Sequence, residues 1–199
     1  MTHQENKINF ILDIDETLLS AIPTEEIDFE KIKKKAKKVK YEPMEDYYIL
    51  FLRPHLDKFL DFLFENFNVS IWTAASKDYA LFVVDKIILN GNPKRKIDYI
   101  FFSYHCNASK KIKKNTKDLT MLWDLYKIKG YNKNNTIIMD DYDEVFNTQK
   151  DNCIFVAPPF NFLTDNSEND RFLKDLIPKL KKHILKNNNI YNINKINEI

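Results

Sequence analysis

The chain contains very little glycine, with Gly91 and Gly130 the only two among its 199 residues. Phosphate-binding loops of nucleotide-binding proteins need several clustered glycines, whose missing side chains let the backbone close around the phosphate. Two isolated glycines exclude such a loop. Any phosphate that this protein binds must therefore be held by side chains.

Cysteine is equally scarce, and its two positions, Cys106 and Cys153, are too few for the disulfide framework of a small secreted domain. Neither cysteine lies in a Cys-x-x-Cys pair or a Cys/His cluster, so a zinc site is not expected. We interpret both as ordinary thiols.

Long apolar runs and a strong net charge are also missing. No run approaches the roughly 18 residues that a membrane-spanning helix needs, and the first ten residues, MTHQENKINF, resemble neither a signal peptide nor an arginine-rich presequence. The formal net charge of +2 gives no overall attraction to nucleic acid or a membrane, so we expect to find neither as a direct partner. These features predict a protein of the cytosol or nucleus. Its abundant lysine, asparagine and isoleucine have AT-rich codons and favour a protist or a large DNA virus as its source.

What the sequence does contain is an alternation of apolar strands and amphipathic helices. The patterns predict strands at 8–12, 47–52, 68–75, 98–106, 134–146 (where the strand runs into acids) and 152–160, and helices at 24–40, 53–67, 77–89, 116–128 and 167–186. Thr24 and Ser167 are candidate caps of the first and last helices. This order is typical of an α/β domain with a parallel sheet. We expect one domain over residues 1–186. The Asn/Ile-rich tail over 187–199 is expected to be loosely ordered or to pack at the periphery.

Polar side chains follow three of these strands and begin one helix. They are Asp13 and Asp15, Thr73, Asp140 and Asp141, and Lys117. Ligands of an open parallel sheet bind at the carboxyl ends of its strands, so we expect these groups to meet at one edge. The period of two in a strand places Asp13 and Asp15 on the same side of the chain. With Asp140 or Asp141 they would form an oxygen-rich site suited to Mg²⁺.

These groups match the requirements of phosphoryl transfer. One carboxylate can attack phosphorus, and a second can protonate the leaving oxygen and then activate water. The Lys117 ammonium and the Thr73 hydroxyl can donate hydrogen bonds to the phosphate. Simpler alternatives remain at this stage. Asp13 and Asp15 also suit a turn after a strand, and Asp140 and Asp141 also suit the cap of a helix over 142–149.

The motifs also resemble a known family. "DIDET" fits the D-x-D-x-T signature of haloacid-dehalogenase (HAD) phosphatases, and "DIDETLL", "FLRPHLDKFL", "IWTAASKDYA", "TKDL" and "IIMDD" follow one another as in the small phosphatases of the RNA polymerase II C-terminal domain. The resemblance covers residues 8–182. It implies a HAD-like three-layer fold with a central parallel sheet, a small insertion at 20–48 and no large cap.

The same resemblance assigns roles to individual residues. It implies that Asp13 is the nucleophile, Asp15 the general acid and base, and Thr73 and Lys117 the phosphate-binding pair. Mg²⁺ would be bound by Asp13, Asp141 and the Asp15 carbonyl, with Asp140 as the residue that orients Lys117. Tyr79 would contact a peptide substrate. The substrate implied is a phosphoserine or phosphothreonine in a protein.

Two departures from the family weaken the inference of a polymerase-tail substrate. The stretch after the first motif reads "LSAIPTEE", without the family's hydroxyl and aromatic residues, and "FFSYHCNASKKIKK" lacks the family's arginine. Two alternatives therefore stay open: the same chemistry on a nucleic-acid 3′-phosphate or a small molecule, and a non-catalytic binding protein. The seven lysines between residues 31 and 40 form either a solvated face or a surface for an acidic partner.

Overall fold

A computed structural model describes residues 7–198 of the chain. These residues form eight strands: β1 (Asn9–Leu12), β2 (Leu19–Pro23), β3 (Tyr41–Met44), β4 (Tyr48–Leu52), β5 (Asn68–Trp72), β6 (Ile97–Phe101), β7 (Thr136–Asp140) and β8 (Cys153–Phe155). They also form seven α-helices: α1 (Phe29–Ala36), α2 (Leu56–Asn66), α3 (Lys77–Val83), α4 (Ser103–Lys113), α5 (Asp143–Thr148), α6 (Phe172–His183) and α7 (Asn194–Asn197). A π-helical segment, Val84–Leu89, continues α3, and a second one spans Met121–Leu125.

Five parallel strands make the central sheet, in the order β6-β5-β1-β7-β8. The inner strands β1, β5 and β7 are buried throughout, as strands covered on both faces should be. The register sets Leu12 beside Ile71 on one side and Met139 on the other. The residues that follow β1 and β5 and the end of β7 therefore reach the same edge. The predicted α/β fold with a central parallel sheet and no large cap is confirmed for the described residues.

The insertion between β1 and α2 is a three-stranded antiparallel sheet in the order β2-β4-β3. The predicted helix over 24–40 is too long. Thr24–Glu26 form a 3₁₀ turn, and the real helix, α1, spans only Phe29–Ala36. It is capped by Asp28, whose carboxylate accepts a hydrogen bond from the Lys31 amide, and Thr24 plays no such part. Strands β2 and β3, which pair with β4, lie immediately on either side of the span 24–40 and were not predicted.

Other element boundaries also differ from the prediction, and the strands expected at 134–146 and 152–160 end at Asp140 and Phe155. The strand expected at 98–106 ends at Phe101, and α4 begins two residues later, where the His105 ring accepts a hydrogen bond from the Phe102 amide. The helix expected at 116–128 is reduced to Met121–Leu125. The last helix begins at Phe172 instead of 167, because the Ser167 hydroxyl donates to the Phe162 carbonyl and caps nothing.

The segment after residue 186 packs against the domain. Ile190, Ile193 and Ile196 of this segment are buried in the same apolar cluster as α6. The Asn197 side chain accepts a hydrogen bond from the Phe155 amide (3.0 Å) and donates one to the Cys153 carbonyl (2.9 Å), so it pairs with the edge strand β8. The division of the chain at residue 186 stays a prediction. Among residues 7–198, no helix has both the length and the apolar character to cross a bilayer.

We predict that the tail contributes to the stability of the domain. Ile193 is 1% exposed, and Ile193→Ala should lower the free energy of unfolding by about 2–4 kcal/mol, because it removes buried apolar contacts. Denaturant unfolding measures this. As a matched control, Tyr191→Ala alters a residue that is 75% exposed and should change the free energy by no more than about 0.5 kcal/mol. Equal small effects of both changes would mean that the tail does not pack as described.

Candidate active site

Asp13 lies at the carboxyl end of the central strand, at the bottom of the candidate site. Its amide donates to the Met139 carbonyl (3.0 Å), which continues the pairing of β1 with β7 by one residue. Its carboxylate is buried and accepts a hydrogen bond from the Lys117 ammonium, with 2.5 Å between Nζ and Oδ1. The same ammonium donates to Asp140 Oδ2 at 2.7 Å. One buried cation thus bridges two buried carboxylates from neighbouring strands.

The backbone around Lys117 is held in an unusual conformation. Its φ of 50° lies in the left-handed region, which costs free energy for a residue with a side chain. The Gln149 side chain donates to the Lys117 carbonyl (3.0 Å) and accepts from the Leu119 amide (3.1 Å). The Glu144 carboxylate accepts from the Thr116 amide (3.0 Å). Glu144 of α5 and Gln149, the residue that follows α5, thus hold the loop, and no local sequence signal could have identified them.

Asp140 and Asp141 continue the site along β7. Carboxylate oxygens of Asp13, Asp140 and Asp141 all lie within 4.8 Å of one another. Asp141 also accepts a hydrogen bond from the Thr17 hydroxyl (3.3 Å). The second oxygen of Asp140 accepts from the Tyr142 amide (3.0 Å) just before α5. Asp140 therefore orders the turn before this helix and also bonds Lys117, but the N-cap residue of α5 is Tyr142 and no side chain caps the helix, so the cap suggested as an alternative is not formed.

Asp15 and Tyr79 form the next part of the site. Asp15 Oδ1 accepts a hydrogen bond from the Tyr79 hydroxyl, with 2.5 Å between the oxygens. Tyr79 lies on α3, is largely buried, and contacts the half-exposed ring of Tyr48 edge-on (6.1 Å between ring centres). Tyr79 therefore contacts the candidate catalytic group Asp15 through its hydroxyl and the Tyr48 ring through its own ring.

Thr73 follows β5, the strand beside β1. Its amide donates to the Phe101 carbonyl (3.0 Å), and its buried hydroxyl accepts from the Ala75 amide (3.0 Å). The hydroxyl oxygen thus serves as an acceptor within the protein, which leaves its proton for another group. The structure brings Asp13, Lys117, Asp140 and Asp141 into direct proximity. It places Asp15 and Thr73 on the flanking positions of the same edge.

The electrostatics of the site are dominated by buried negative charge. Burial raises the pKa of Asp15 to about 6, the Tyr79 hydrogen bond opposes that rise, and the charge of Asp13 adds to it. Burial is the main cause, and the charge of Asp13 the second, of a raised pKa at two more carboxyl groups. The pKa of Asp140 is raised to about 6 and the pKa of Asp141 to about 7. Negative charge here is therefore incompletely balanced.

Lys117 remains charged in this setting. Burial alone would lower the pKa of its ammonium, but the adjacent carboxylates of Asp13 and Asp140 raise it above the ordinary value. One ammonium faces four acids, which leaves an excess of negative charge. Three converging carboxylates with excess charge are the oxygen-rich ligand set that Mg²⁺ favours, so the residues present fit such an ion.

Arg53 also contacts the turn that carries the candidate nucleophile, and it was not among the predicted site residues. Its side chain is completely buried and donates to the Thr17 carbonyl, within the "DIDET" turn. The only sequence signal is the "RP" pair at the junction of β4 and α2. An arginine there is as compatible with a surface position as with a buried one.

Comparison with known proteins gives a consistent result. The family described as NLI interacting factor-like phosphatase matches residues 8–191. The chain is 44% identical over 180 residues to the CTD phosphatase-like protein 355R of Invertebrate iridescent virus 6, covering 88% of this chain and 98% of the relative. It is 41% identical to the protein of the same description from Invertebrate iridescent virus 3, covering 85% and 92%.

The fold also matches solved structures. A structure of the fission yeast RNA polymerase II CTD phosphatase Fcp1 bound to beryllium fluoride superposes with a TM-score of 0.56 at 19% identity. The match covers 88% of this chain and 50% of the Fcp1 chain. At this identity the likeness concerns the fold. The chain spans half the length of that structure.

The raised carboxyl pKa values predict how the stability of the metal-free protein depends on pH. A carboxyl group whose pKa is higher in the folded than in the unfolded chain destabilises the folded state once it ionises. These groups should therefore add stability as the pH falls from about 7 towards about 4. Asp141→Asn removes one such charge. It should raise the melting temperature of the metal-free protein at about pH 7.5 and have little effect at about pH 4.5.

Thermal unfolding of both proteins, with and without Mg²⁺, measures this. Mg²⁺ should stabilise the parent protein and leave Asp141→Asn almost unchanged. Asp165→Asn, at an exposed loop position, controls for the change in net charge. A variant that melts at the parent's temperature or below at the higher pH would contradict this description of the site.

Proposed function

The chain belongs to the NLI interacting factor-like phosphatase family, and we propose that it is a Mg²⁺-dependent phosphatase of phosphoserine or phosphothreonine in proteins. The observation that carries this proposal is the buried Asp13 carboxylate, 2.5 Å from the Lys117 ammonium and within 4.8 Å of two further acids. A carboxylate in this setting is oriented for attack on a bound phosphate, and the neighbouring ammonium can neutralise the phosphate's charge.

The proposed reaction has two steps. An oxygen of Asp13 attacks phosphorus, and the bond from phosphorus to the substrate's oxygen breaks. Asp15 gives its proton to that leaving oxygen, which departs as the serine or threonine hydroxyl. Water then attacks the phosphorus of the aspartyl-phosphate, Asp15 takes a proton from that water, and the Asp13–phosphorus bond breaks. Inorganic phosphate leaves and both carboxyl groups return to their starting states. A pKa of about 6 for Asp15 suits a group that must both give and take a proton near neutral pH.

The remaining polar groups are proposed to hold the phosphate and the ion. Thr73 and Lys117 would donate hydrogen bonds to the phosphate oxygens. Asp13, Asp141 and the Asp15 carbonyl would hold Mg²⁺, which when bound supplies charge neutralisation at the phosphate. Both oxygens of Asp140 already accept hydrogen bonds, from Lys117 and the Tyr142 amide. This supports an orienting role for Asp140 rather than direct ligation.

The open edge of the sheet supports a macromolecular substrate. Between the "IWTAA" strand and Lys117, the described chain adds α3, β6 and α4, and no large cap covers the site. A phosphorylated protein segment is therefore the proposed partner, and the names of the relatives make the polymerase tail one candidate. Tyr79 as a contact for that segment stays a prediction. The viral relatives support a viral source, and the cytosol or nucleus remains the proposed location.

The proposal is tested by hydrolysis of a phosphoserine peptide. Asp13→Asn removes the nucleophile and should lower kcat by at least about 10³-fold. Asp15→Asn should lower it by about 10²–10⁴-fold, because proton transfer is lost. Asp165→Asn is the control and should match the parent. An Asp13→Asn protein as fast as the parent would refute the mechanism. Faster hydrolysis of a 3′-phosphorylated oligonucleotide than of the peptide would instead assign the enzyme to nucleic-acid ends.

The Tyr79 hydroxyl should also influence the pH dependence of the reaction. Its hydrogen bond lowers the pKa of Asp15, so Tyr79→Phe should raise that pKa and move the alkaline limb of the kcat profile to higher pH, because Asp15 must be protonated to act as the acid. Steady-state kinetics across the pH range measure this, with Tyr48→Phe as the control at the neighbouring ring. A change in KM for the peptide with an unmoved alkaline limb would show that Tyr79 only binds substrate.

A further inference from the structure

Arg53 makes an unusually complete set of contacts for a buried cation. Its Nε and Nη2 donate to the two oxygens of Asp170 at 2.9 and 2.8 Å. Nη1 donates to the Thr17 carbonyl at 3.2 Å, and Nη2 also donates to the Pro158 carbonyl at 3.1 Å. The guanidinium group lies 4.5 Å from the centre of the Phe172 ring. A bidentate pair in a buried setting fixes orientation as well as position.

These contacts join three segments that are distant in sequence. They are the "DIDET" turn, the loop that follows β8 and the start of α6. Main-chain bonds reinforce the junction, since the Arg53 amide donates to the Leu18 carbonyl (2.9 Å) and the Phe160 amide donates to the Glu16 carbonyl (2.6 Å). The turn that carries the candidate nucleophile is therefore held through the carbonyls of Glu16, Thr17 and Leu18.

Thr17 connects this junction to the candidate metal site. Its carbonyl accepts from Arg53, while its hydroxyl donates to Asp141 Oδ1 at 3.3 Å. Thr17 is itself buried, with no exposed surface, so it has little freedom to reorient independently. A shift of its backbone would move the donor that orients the Asp141 carboxylate.

We propose that the Arg53–Asp170 pair is a positioning element of the active site, which acts through Thr17 to orient Asp141 towards a divalent cation. This inference rests on the metal site of the proposed function and extends it to residues outside the site. Arg53 and Asp170 touch neither ion nor phosphate. Their role is to hold the ligand geometry, and residues of this kind commonly affect metal affinity by about 10–100-fold.

The chain supplies a matched control for a purely structural effect. Arg95 is also buried and also binds a carboxylate, with Nε and Nη2 donating to Asp61 Oδ1 at 3.0 and 2.7 Å. It too bonds backbone carbonyls, those of Ile88 (2.8 Å) and Asp57 (3.2 Å). This second pair lies among α2, the end of the α3 segment and the approach to β6. Asp61, Ile88 and Asp57 all lie outside the candidate site.

The experiment compares Asp170→Asn and Arg53→Lys with Asp61→Asn and Arg95→Lys. Calorimetry on the full-length, metal-free protein measures Mg²⁺ affinity, and thermal unfolding measures stability. All four changes should lower the melting temperature. Only Asp170→Asn and Arg53→Lys should weaken Mg²⁺ binding, by about 10-fold, and lower kcat for a phosphopeptide at saturating Mg²⁺. If Arg53→Lys does not fold, Asp170→Asn decides the matter alone.

A second comparison tests the route through Thr17. Thr17→Val removes the hydroxyl and should weaken Mg²⁺ binding, whereas Thr17→Ser should retain the parent affinity. Combining Thr17→Val with Asp170→Asn should weaken binding by less than the product of the two single effects, because both changes act on the same carboxylate. If the double variant weakens Mg²⁺ binding by the full product of the two single effects, Asp170 does not act through Thr17.

The binding measurement separates this inference from the proposed function. If Asp170→Asn binds Mg²⁺ as tightly as the parent does, the inference is wrong even when the enzyme is active. If the parent binds Mg²⁺ and Asp170→Asn binds it weakly, the inference stands even when no phosphate ester is hydrolysed. A parent protein that binds no Mg²⁺ would overturn the inference and the metal-dependent function together.

Discussion

One ammonium group between two buried carboxylates is the interaction on which the site depends. Without Lys117, Asp13 and Asp140 would be two buried acids with no cation between them, and their desolvation and mutual repulsion would destabilise the folded state. With it, Asp13 is held as a candidate nucleophile directly at the end of the central strand. The pair of bonds also ties a loop from outside the sheet to two of its strands. The negative charge left over, on Asp15 and Asp141, is what a divalent cation would neutralise.

The fold supplies this geometry through the parallel sheet and through supports behind it. Parallel register places the ends of β1, β5 and β7 at one edge. The positions of the side chains are then set by a second layer of polar contacts, in which Gln149 holds the Lys117 loop and Arg53 holds the "DIDET" turn. The insertion sheet packs between the main core and the loop after β8, where Phe51 stacks on Phe162 at 3.8 Å between ring centres. The reactive side chains thus lie at the edge of the sheet, and the contacts made by Gln149 and Arg53 behind them hold them in position.

The meeting of Asp13, Asp15, Thr73, Asp140 and Asp141 at one edge was predictable because apolar runs end at or just before them, which indicates where the chain leaves the sheet. Lys117 follows no such run and was assigned to the start of a helix that in fact begins later, at Met121. The supporting residues were not predictable. Gln149, Glu144 and Arg53 act on partners far away in the chain or on backbone groups, and a sequence contains no local signal of such contacts. The pairing of β2 with β4, across α1, was missed for the same reason. The packing of the tail matches one of the two alternatives expected for it, through the buried Ile190, Ile193 and Ile196.

The proposed reaction requires that Asp13 become covalently phosphorylated in each turnover. The most direct test is to incubate the protein with Mg²⁺ and an excess of a phosphoserine peptide, to stop the reaction during turnover, and then to reduce any acyl phosphate with borohydride. Reduction converts a phosphorylated aspartate into homoserine, which peptide mass spectrometry can locate. If Asp13 is the nucleophile, homoserine should be found at position 13 and nowhere else in the chain. Turnover of the peptide without modification of Asp13, or modification of a different acid, would contradict the proposed reaction.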